Sequence, residues 1–377
     1  MKKILMIEIN PDFEIGGAET YNRKLFNILK SHFKEEDVQI DRACLFQPKS
    51  FKQYDNRKLS YKYYFVKSNY YCHNKQNFDE YVKFTLNVLK FRKLIYKLNK
   101  LNNYDLIIDS TVATFKKLAK NDNYFWIQHM DASFFNEDLK FNLKNFIKKI
   151  FGFESNIYYA KNIVFYDEAN LNYIKSRRKS NFIGYCIPLS CNVPKNLLPI
   201  IKNQCIERTK IVYFGRLENN QKNIQLIFNI NRKLNLIEFY GEGETNIKLT
   251  LGNSYKGYIS PAINPQLILN KYKFLILMSN FEGFSYSLVQ ALSFGIPIIV
   301  RNTFLSAKTL VDSGKNGFLL PANDTVEEYA KKIKEIYSIG SSSYCKMCEN
   351  AYRFALMNLD DSIFEKHWLE IFNKFLN

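Results

Sequence analysis

Residues 273–300, KFLILMSNFEGFSYSLVQALSFGIPIIV, constrain this chain more than any other stretch. Lys273 to Met278 is a short apolar run without polar alternation, which predicts a strand buried on both faces of a parallel sheet. Ser279 to Ser285 carries turn chemistry, with Gly283 where a backbone must bend or come close to a ligand. Tyr286 to Phe294 has helical spacing: Leu288, Val289, Leu292 and Ser293 form one stripe, and Gly295 follows at the usual position after a helix end. Pro297 to Val300 opens the next buried strand. The unit reads strand, loop, helix, strand. Its single carboxylate, Glu282, falls in the loop at the carboxyl end of a parallel strand, where open α/β sheets bind ligands. A solvated loop acid is the plainer reading of Glu282 from this segment alone.

A chain of 377 residues exceeds what one hydrophobic core usually spans, so two domains are expected. Seven cysteines, Cys44, Cys72, Cys186, Cys191, Cys205, Cys345 and Cys348, are an odd and scattered set. They suggest reduced thiols in a cytosol. Cys345 and Cys348 form a CxxC inside a helix-like segment with no second pair, which points to a buried helical face rather than a zinc site. Met1 to Asn10 holds two lysines, but Glu8 interrupts its apolar run, so it reads as a first strand and not as a signal peptide. No window approaches the roughly 20 apolar residues of a membrane span.

The net charge of +18 is unevenly placed. Residues 1–200 hold 33 lysines and arginines against 20 acids, and the remainder 21 against 16. A basic N-terminal half suits an anionic partner such as a membrane leaflet, a phosphate-linked polymer or glycolipid, or a nucleic acid. Lysine and asparagine are abundant throughout, so part of the excess is equally well a compositional drift.

The first strand, Lys3 to Glu8, leads through a loop ending at Gly16 and Gly17 into a helix from about Ala18 to Phe33. A double glycine opening a helix lets a backbone approach a negative ligand, though a tight turn is as good a reading. Tyr81 to Leu98 puts Phe84, Val88, Phe91, Leu94 and Ile95 on one helical face, a packing helix. Tyr104 to Ser110 and Tyr124 to Gln128 read as buried strands, with His129 directly after the second. Between 139 and 151, Leu139, Leu143, Phe146, Ile147, Ile150 and Phe151 share a stripe beside Lys140, Lys144 and Lys148. Such a helix suits an anionic membrane surface, or an ordinary packed helix with its lysines in water. Asn162 to Tyr166 reads as the last strand of the first sheet, and Cys186 to Pro199 as the linker.

Beyond the linker, Lys210 to Phe214 is a strand ending in Gly215-Arg216-Leu217. Lys222 follows, and a helix begins near Asn223. Two fixed cations between a strand end and a helix start suit a diphosphate, Arg through a fork of donors and Lys as a point charge. Ile237 to Gly243 reads as the next strand and glycine turn, Ser313 to Pro321 as a later turn and strand, and helices run from about Thr325 to the end. The alternation of strands and helices gives α/β.

Several strings together resemble one family. FGRLENNQKNI (214–224), IEFYGEG (237–243), the EGF of Glu282, Gly283 and Phe284, SGKNGFLLP (313–321) and GGAET (16–20) are similar to elements of retaining glycosyltransferases with the GT-B fold, in particular the large family 4. Where that family has a second glutamate eight positions after the first, this chain has Gln290 before Ala291. The resemblance runs nearly throughout the second half and only in patches through the first. It implies two Rossmann-like domains facing across a cleft: 1–190 on the acceptor side, 195–360 binding the nucleotide sugar, and a last helix, about 361–377, returning to the first.

The implied activity is transfer of a hexose-type sugar, with retention, from a nucleotide diphosphate sugar, most often a UDP-sugar. The acceptor would be a glycan, glycolipid or cell-surface polymer in bacterial-type surface polysaccharide assembly, with the enzyme cytoplasmic or peripheral on the inner membrane face. Arg216 and Lys222 would neutralise the leaving diphosphate, and His129 would contact the transferred sugar. Glu282 would bind a sugar hydroxyl and Gln290 the ribose. The amides of Gly283, Phe284 and Ser285 would face the β-phosphate, and Gly16 and Gly17 would border diphosphate and acceptor. No cofactor is implied, and without an Asp-x-Asp pair a metal-held diphosphate is not suggested. Two rivals stand beside this: a catalytically silent GT-B subunit that positions or stabilises a partner transferase, and a nucleic-acid-binding protein suggested only by charge and aromatics, with no recognised binding module.

Overall fold

A computed structural model describes the chain except residues 11–15, 35, 47–61, 67–77, 112, 114, 135–155, 260–264 and 377, and the side chains of 78–82. The basic amphipathic segment 139–151 therefore lies outside the described residues. The chain forms two compact units. The first comprises Met1–Phe165, Leu171–Ile187 and Glu365–Asn377, and the second Tyr166–Asn170 and Pro188–Phe364.

In the first unit, β1 (Lys2–Glu8), β2 (Val38–Cys44), β3 (Lys62–Phe65), β4 (Leu106–Asp109), β5 (Tyr124–Ile127), β6 (Asn162–Phe165) and β7 (Ile183–Cys186) make one sheet. Its order is β3-β2-β1-β4-β5-β6-β7, and every pairing is parallel. Ile4 lies in register with Ile40 on one side and Leu106 on the other. The apolar runs of β1, β4, β5 and β6 are buried, as strands covered on both faces must be. Tyr21, Leu25 and Leu29 of the helix Gly17–His32 and Val88, Phe91 and Ile95 of the helix Phe78–Asn102 are buried as their spacing predicts.

Two sequence expectations need correction. Asn162 to Tyr166 is not the last strand of this sheet, because β7 pairs beyond it. An edge strand of four half-exposed residues, IGYC, lacks the apolar run that marks a buried one. The expectation of reduced thiols throughout also fails, because Cys205 and Cys345 form a disulfide. They lie 140 residues apart in sequence with Cα atoms 5.7 Å apart, a separation that disulfide geometry accepts and that no sequence spacing announces. Cys348, one turn further on, is buried and unbonded to another cysteine, as the helical-face reading has it.

The strand β2 escaped notice for a physical reason. Its Arg42 is wholly buried and donates to both carboxylate oxygens of Glu8 on β1, with Nη2 2.8 Å from each. The guanidinium also donates to the Tyr63 hydroxyl and lies 4.5 Å from the centre of the Phe26 ring. A buried charge survives only when its donors and its charge are both met, and neither is visible from the local pattern VQIDRAC.

In the second unit, β8 (Thr209–Phe214), β9 (Ile237–Tyr240), β10 (Tyr255–Gly257), β11 (Tyr272–Leu277), β12 (Ile298–Arg301) and β13 (Gly317–Leu320) form a six-stranded sheet. The order is β10-β9-β8-β11-β12-β13, again parallel throughout. The helix Tyr286–Ser293 follows β11 and buries Leu288, Val289, Ala291 and Leu292. Gly295, two residues past it, takes φ +64°, a left-handed turn that costs glycine nothing and lets β12 start back into the sheet. Chain order reverses in this sheet between β8 and β11, as it does between β1 and β4 in the first. Such switch points leave a crevice at the carboxyl ends of the strands, and that is where the fold offers ligand sites.

Candidate functional site

The β8–β11 switch point carries the cations and the carboxylate singled out above. After β8 the backbone passes close beneath Gly241, where any Cβ would strike the Gly215 carbonyl. It then turns through residues 216–223 into the helix Ile224–Leu234. Glu218 shapes that turn: its carboxylate accepts from the amides of Gln221 and Lys222, each at 3.0 Å. The Arg216 carbonyl accepts from the Tyr213 hydroxyl at 2.6 Å. Burial, reinforced by the negative charges of Glu282 and Glu218, holds the Tyr213 phenol well above its ordinary pKa, so it stays a donor.

The loop after β11 supplies Glu282, which is 5% exposed. One carboxylate oxygen, Oε1, accepts from Lys222 Nζ at 2.5 Å and from Ser279 Oγ at 2.7 Å. The other, Oε2, accepts from Gln221 Nε2 at 3.1 Å, while Gln221 Oε1 accepts from Arg216 Nη2 at 2.7 Å. Arg216, Lys222 and Glu282 are thus brought together, with Gln221 between two of them. The loop itself is held from below: Ser306 Oγ donates to the Gly283 carbonyl at 2.7 Å and Thr303 Oγ1 to the Ser279 carbonyl at 2.6 Å. Asn280 NH donates to the Gln221 carbonyl at 2.7 Å, tying the two loops by their backbones.

Phe284 is buried, with its ring 5.6 Å from that of Tyr166. Ser285 caps the helix Tyr286–Ser293 by position, and its hydroxyl lies 3.0 Å from that of Ser287. Gln290 stands on that helix, half-buried, and among the described residues its carboxamide has no hydrogen-bond partner. Sequence reasoning missed Gln221, Glu218, Ser279 and Ser306. Glu218, placed three residues before the first amide it binds, is the signal that was available, in the manner of a capping carboxylate.

The first unit holds the remaining candidates. Gly16 precedes the helix Gly17–His32 in extended backbone and its carbonyl accepts from Thr20 NH at 3.0 Å. The Glu19 carboxylate, in the first helical turn, accepts from Asn10 Nδ2 at 3.0 Å. His129 follows β5, and its ring meets Tyr21 edge-on at 5.7 Å. Burial pushes its pKa down to about 3, so the imidazole is neutral at physiological pH. At the end of β4 the carboxylate of Asp109 accepts from Thr111 NH and Oγ1 at 2.8 and 2.7 Å, from Asn156 Nδ2 at 2.9 Å, and from the Tyr124 hydroxyl. Burial pushes the Asp109 carboxyl up to about 7 against those four donors. Among the described residues no cluster of His, Cys, Asp and Glu could hold a metal ion, and no helix is long and apolar enough to cross a membrane.

The sequence profile of the family "Glycosyl transferases group 1" matches residues 208–338, the stretch that contains Arg216, Gln221, Lys222, Glu282 and Gln290. The chain is 28% identical over 151 residues to the UDP-N-acetylglucosamine–peptide N-acetylglucosaminyltransferase GtfA subunit of Streptococcus agalactiae, covering 37% of this chain and 29% of that protein. It is 25% identical over 230 residues to the poly(glycerol-phosphate) alpha-glucosyltransferase of Bacillus subtilis strain 168, covering 57% of this chain and 33% of that one. The matches span about a third of the length of these curated relatives. Among solved structures, sucrose-phosphate synthase from Thermosynechococcus elongatus superposes with a TM-score of 0.73 at 12% identity, over 99% of both chains. The chain therefore has the fold of the GT-B glycosyltransferases, and residues 208–338 of its second unit match the glycosyl transferases group 1 family.

Proposed function

We propose that this chain is a retaining glycosyltransferase that moves a sugar from a nucleotide diphosphate sugar, with UDP as the carrier, to a glycan, glycolipid or cell-surface polymer. The observation that carries the reading is the group at the β8–β11 switch point: two cations, Arg216 and Lys222, gathered on the buried carboxylate Glu282 and its neighbour Gln221. A diphosphate leaving group develops negative charge as the glycosidic bond breaks. Fixed cations aimed at that charge are the kind of preorganised term that dominates catalysis. Glu282 is held by Ser279 and Gln221 as well as Lys222, so it keeps partners when the ammonium turns to a phosphate. Its role is to accept from a hydroxyl of the donor sugar. The amides of Gly283, Phe284 and Ser285 face the β-phosphate, and Gln290 meets the ribose. No protein nucleophile is needed: a phosphate oxygen of the leaving group takes the acceptor proton on the face it departs from.

His129, neutral at physiological pH, can donate or accept a hydrogen bond to the sugar but cannot serve as a general acid there. Gly16 and Gly17 border the diphosphate and acceptor on the same reading. The names of the relatives support the donor and acceptor classes, since one uses UDP-N-acetylglucosamine and the other glucosylates a polymer of glycerol phosphate. The basic N-terminal half suits a phosphate-linked acceptor or an anionic inner membrane face on the cytoplasmic side, with 139–151 as the membrane contact. Changing Lys140, Lys144 and Lys148 to Gln should then weaken vesicle binding, and unchanged flotation removes that contact.

A panel of nucleotide sugars in a thermal-shift assay tests the donor class. A ligand present at about 100 times its dissociation constant adds roughly 2.7 kcal/mol of stability. Stabilisation by UDP-sugars and not by free sugars is expected, and no shift with any nucleotide sugar removes the reading. Gln290 favours one other reading, a silent GT-B subunit that positions a partner transferase; nucleotide binding without turnover would select it.

A further inference from the structure

Sequence reasoning gives Gln221 no role, yet its carboxamide is the one group that touches both Arg216 and Glu282 among the described residues. Its Oε1 accepts from Arg216 Nη2 at 2.7 Å and its Nε2 donates to Glu282 Oε2 at 3.1 Å. The reverse amide orientation would set N–H against the guanidinium and an oxygen against the carboxylate, so the two charges fix which way it points. Its backbone is pinned at both ends as well: the amide donates to Glu218 at 3.0 Å and the carbonyl accepts from Asn280 NH at 2.7 Å. Arg216 needs such an anchor. It is exposed, and a long cationic side chain without a partner loses rotamer freedom on binding a ligand.

We infer that Gln221 is a positioning residue that sets the Arg216 guanidinium and the Glu282 carboxylate in one fixed geometry. The inference rests on the transferase reading, in which Arg216 meets the diphosphate and Glu282 the sugar of one donor. A single neutral amide then ties the two ends of that donor's site together. It accepts from the cation without neutralising it and donates to the carboxylate without adding a charge. Lysine at this position would compete for Glu282, and a carboxylate would repel it.

Gln221→Met and Gln221→Glu separate positioning from packing. Methionine keeps the length and loses both hydrogen bonds. Glutamate keeps the contact to Arg216 but turns a carboxylate toward Glu282, and two carboxylates at hydrogen-bond distance ionise together only at a cost. Protonation of that pair returns a donor to the bridge. The wild type and both variants are assayed for UDP release from UDP-glucose and UDP-N-acetylglucosamine between pH 5 and 8, with thermal unfolding of each followed in parallel. Gln221→Met is expected to lower kcat/KM by about tenfold or more, each lost hydrogen bond being worth up to roughly that factor. Gln221→Glu is expected to show a larger deficit at pH 8 that narrows as the pH falls. A residue that only packs would leave the ratio of Gln221→Glu to wild type flat across pH. If methionine prevents folding, the pH dependence of that ratio decides alone. An active wild type with both variants within twofold at every pH overturns this inference and leaves the transferase reading standing. A wild type that neither binds nor turns over any nucleotide sugar overturns both.

Discussion

Lys222 Nζ lies 2.5 Å from Glu282 Oε1, with 12% of the lysine side chain and 6% of the glutamate side chain exposed. The pair joins the loop after β8 to the loop after β11. On the proposed function, a diphosphate arriving at Lys222 would compete with Glu282, and the oxygen it releases would then be available to a sugar hydroxyl. Removing one member of a buried pair strands the other, at about 3–5 kcal/mol. Here Ser279 and Gln221 still donate to Glu282 after Lys222 is lost, so about 3 kcal/mol is expected for Lys222→Met. The double variant Lys222→Met with Glu282→Gln should cost less than Lys222→Met alone. Urea unfolding of the wild type, Lys222→Met, Glu282→Gln and the double variant measures the coupling, and simple additivity would show that the pair holds nothing together.

Arg216→Ala and Lys222→Ala should each cut sugar transfer while the fold persists. Losing a donor to developing charge typically costs about 10²–10³ in rate. Arg216→Lys should also be impaired, because a point charge cannot reproduce a fork that holds Gln221 and, on the proposed function, a phosphate as well. Steady-state kinetics on the three variants is the check, and near-normal turnover in both alanine variants would remove the leaving-group role.

Gln290 decides how far the departure from the family pattern matters. On the proposed function, in which this position meets the ribose, a carboxylate there would make charged hydrogen bonds, worth about 1.5–3 kcal/mol against 0.5–1.5 for neutral ones. Glutamine keeps one acceptor and gains a donor, and a ribose hydroxyl can use either. Gln290→Glu should therefore keep activity or tighten nucleotide binding by about tenfold or less, which is roughly 1.4 kcal/mol. Gln290→Ala should weaken it more. Calorimetric titration with UDP measures all three, and no binding by any of them would mark the site as vestigial.

Asp109 gives the first unit a pH signature. Its carboxyl is raised from 3.8 to about 7, so the folded state holds the proton more tightly than the unfolded chain does. The stabilisation this gives is fully present below pH 3.8 and is lost as the pH rises through about 7. Its size is on the order of a few kcal/mol. Asp109→Asn should flatten the fall in stability over that interval. Thermal unfolding of wild type and variant across it is the test, and parallel curves would contradict a buried, proton-holding Asp109.

The parts legible in the sequence were those with a local signature. Lys273 to Met278 showed its strand because a strand covered on both faces needs an unbroken apolar run. Gly295 showed the helix end because a left-handed residue there is tolerated best by glycine. The strand β2 was hidden because Arg42 and Glu8, 34 residues apart, satisfy each other only after the sheet has formed. The bridge through Gln221 was hidden for the same reason: its partner Glu282 is 61 residues away, and nothing in ENNQKN distinguishes one amide from its neighbours. The Cys205–Cys345 bond was invisible because cysteine spacing along a chain says nothing about approach in space.

The most direct measurement is UDP release by the purified chain from UDP-glucose and UDP-N-acetylglucosamine, compared with Lys222→Ala and Glu282→Gln under the same conditions. Release by the wild type, reduced about a hundredfold or more in Lys222→Ala, is the predicted result. A wild type that releases no UDP and binds no nucleotide sugar, or variants that match an active wild type, would contradict a transferase centred on the Lys222–Glu282 pair.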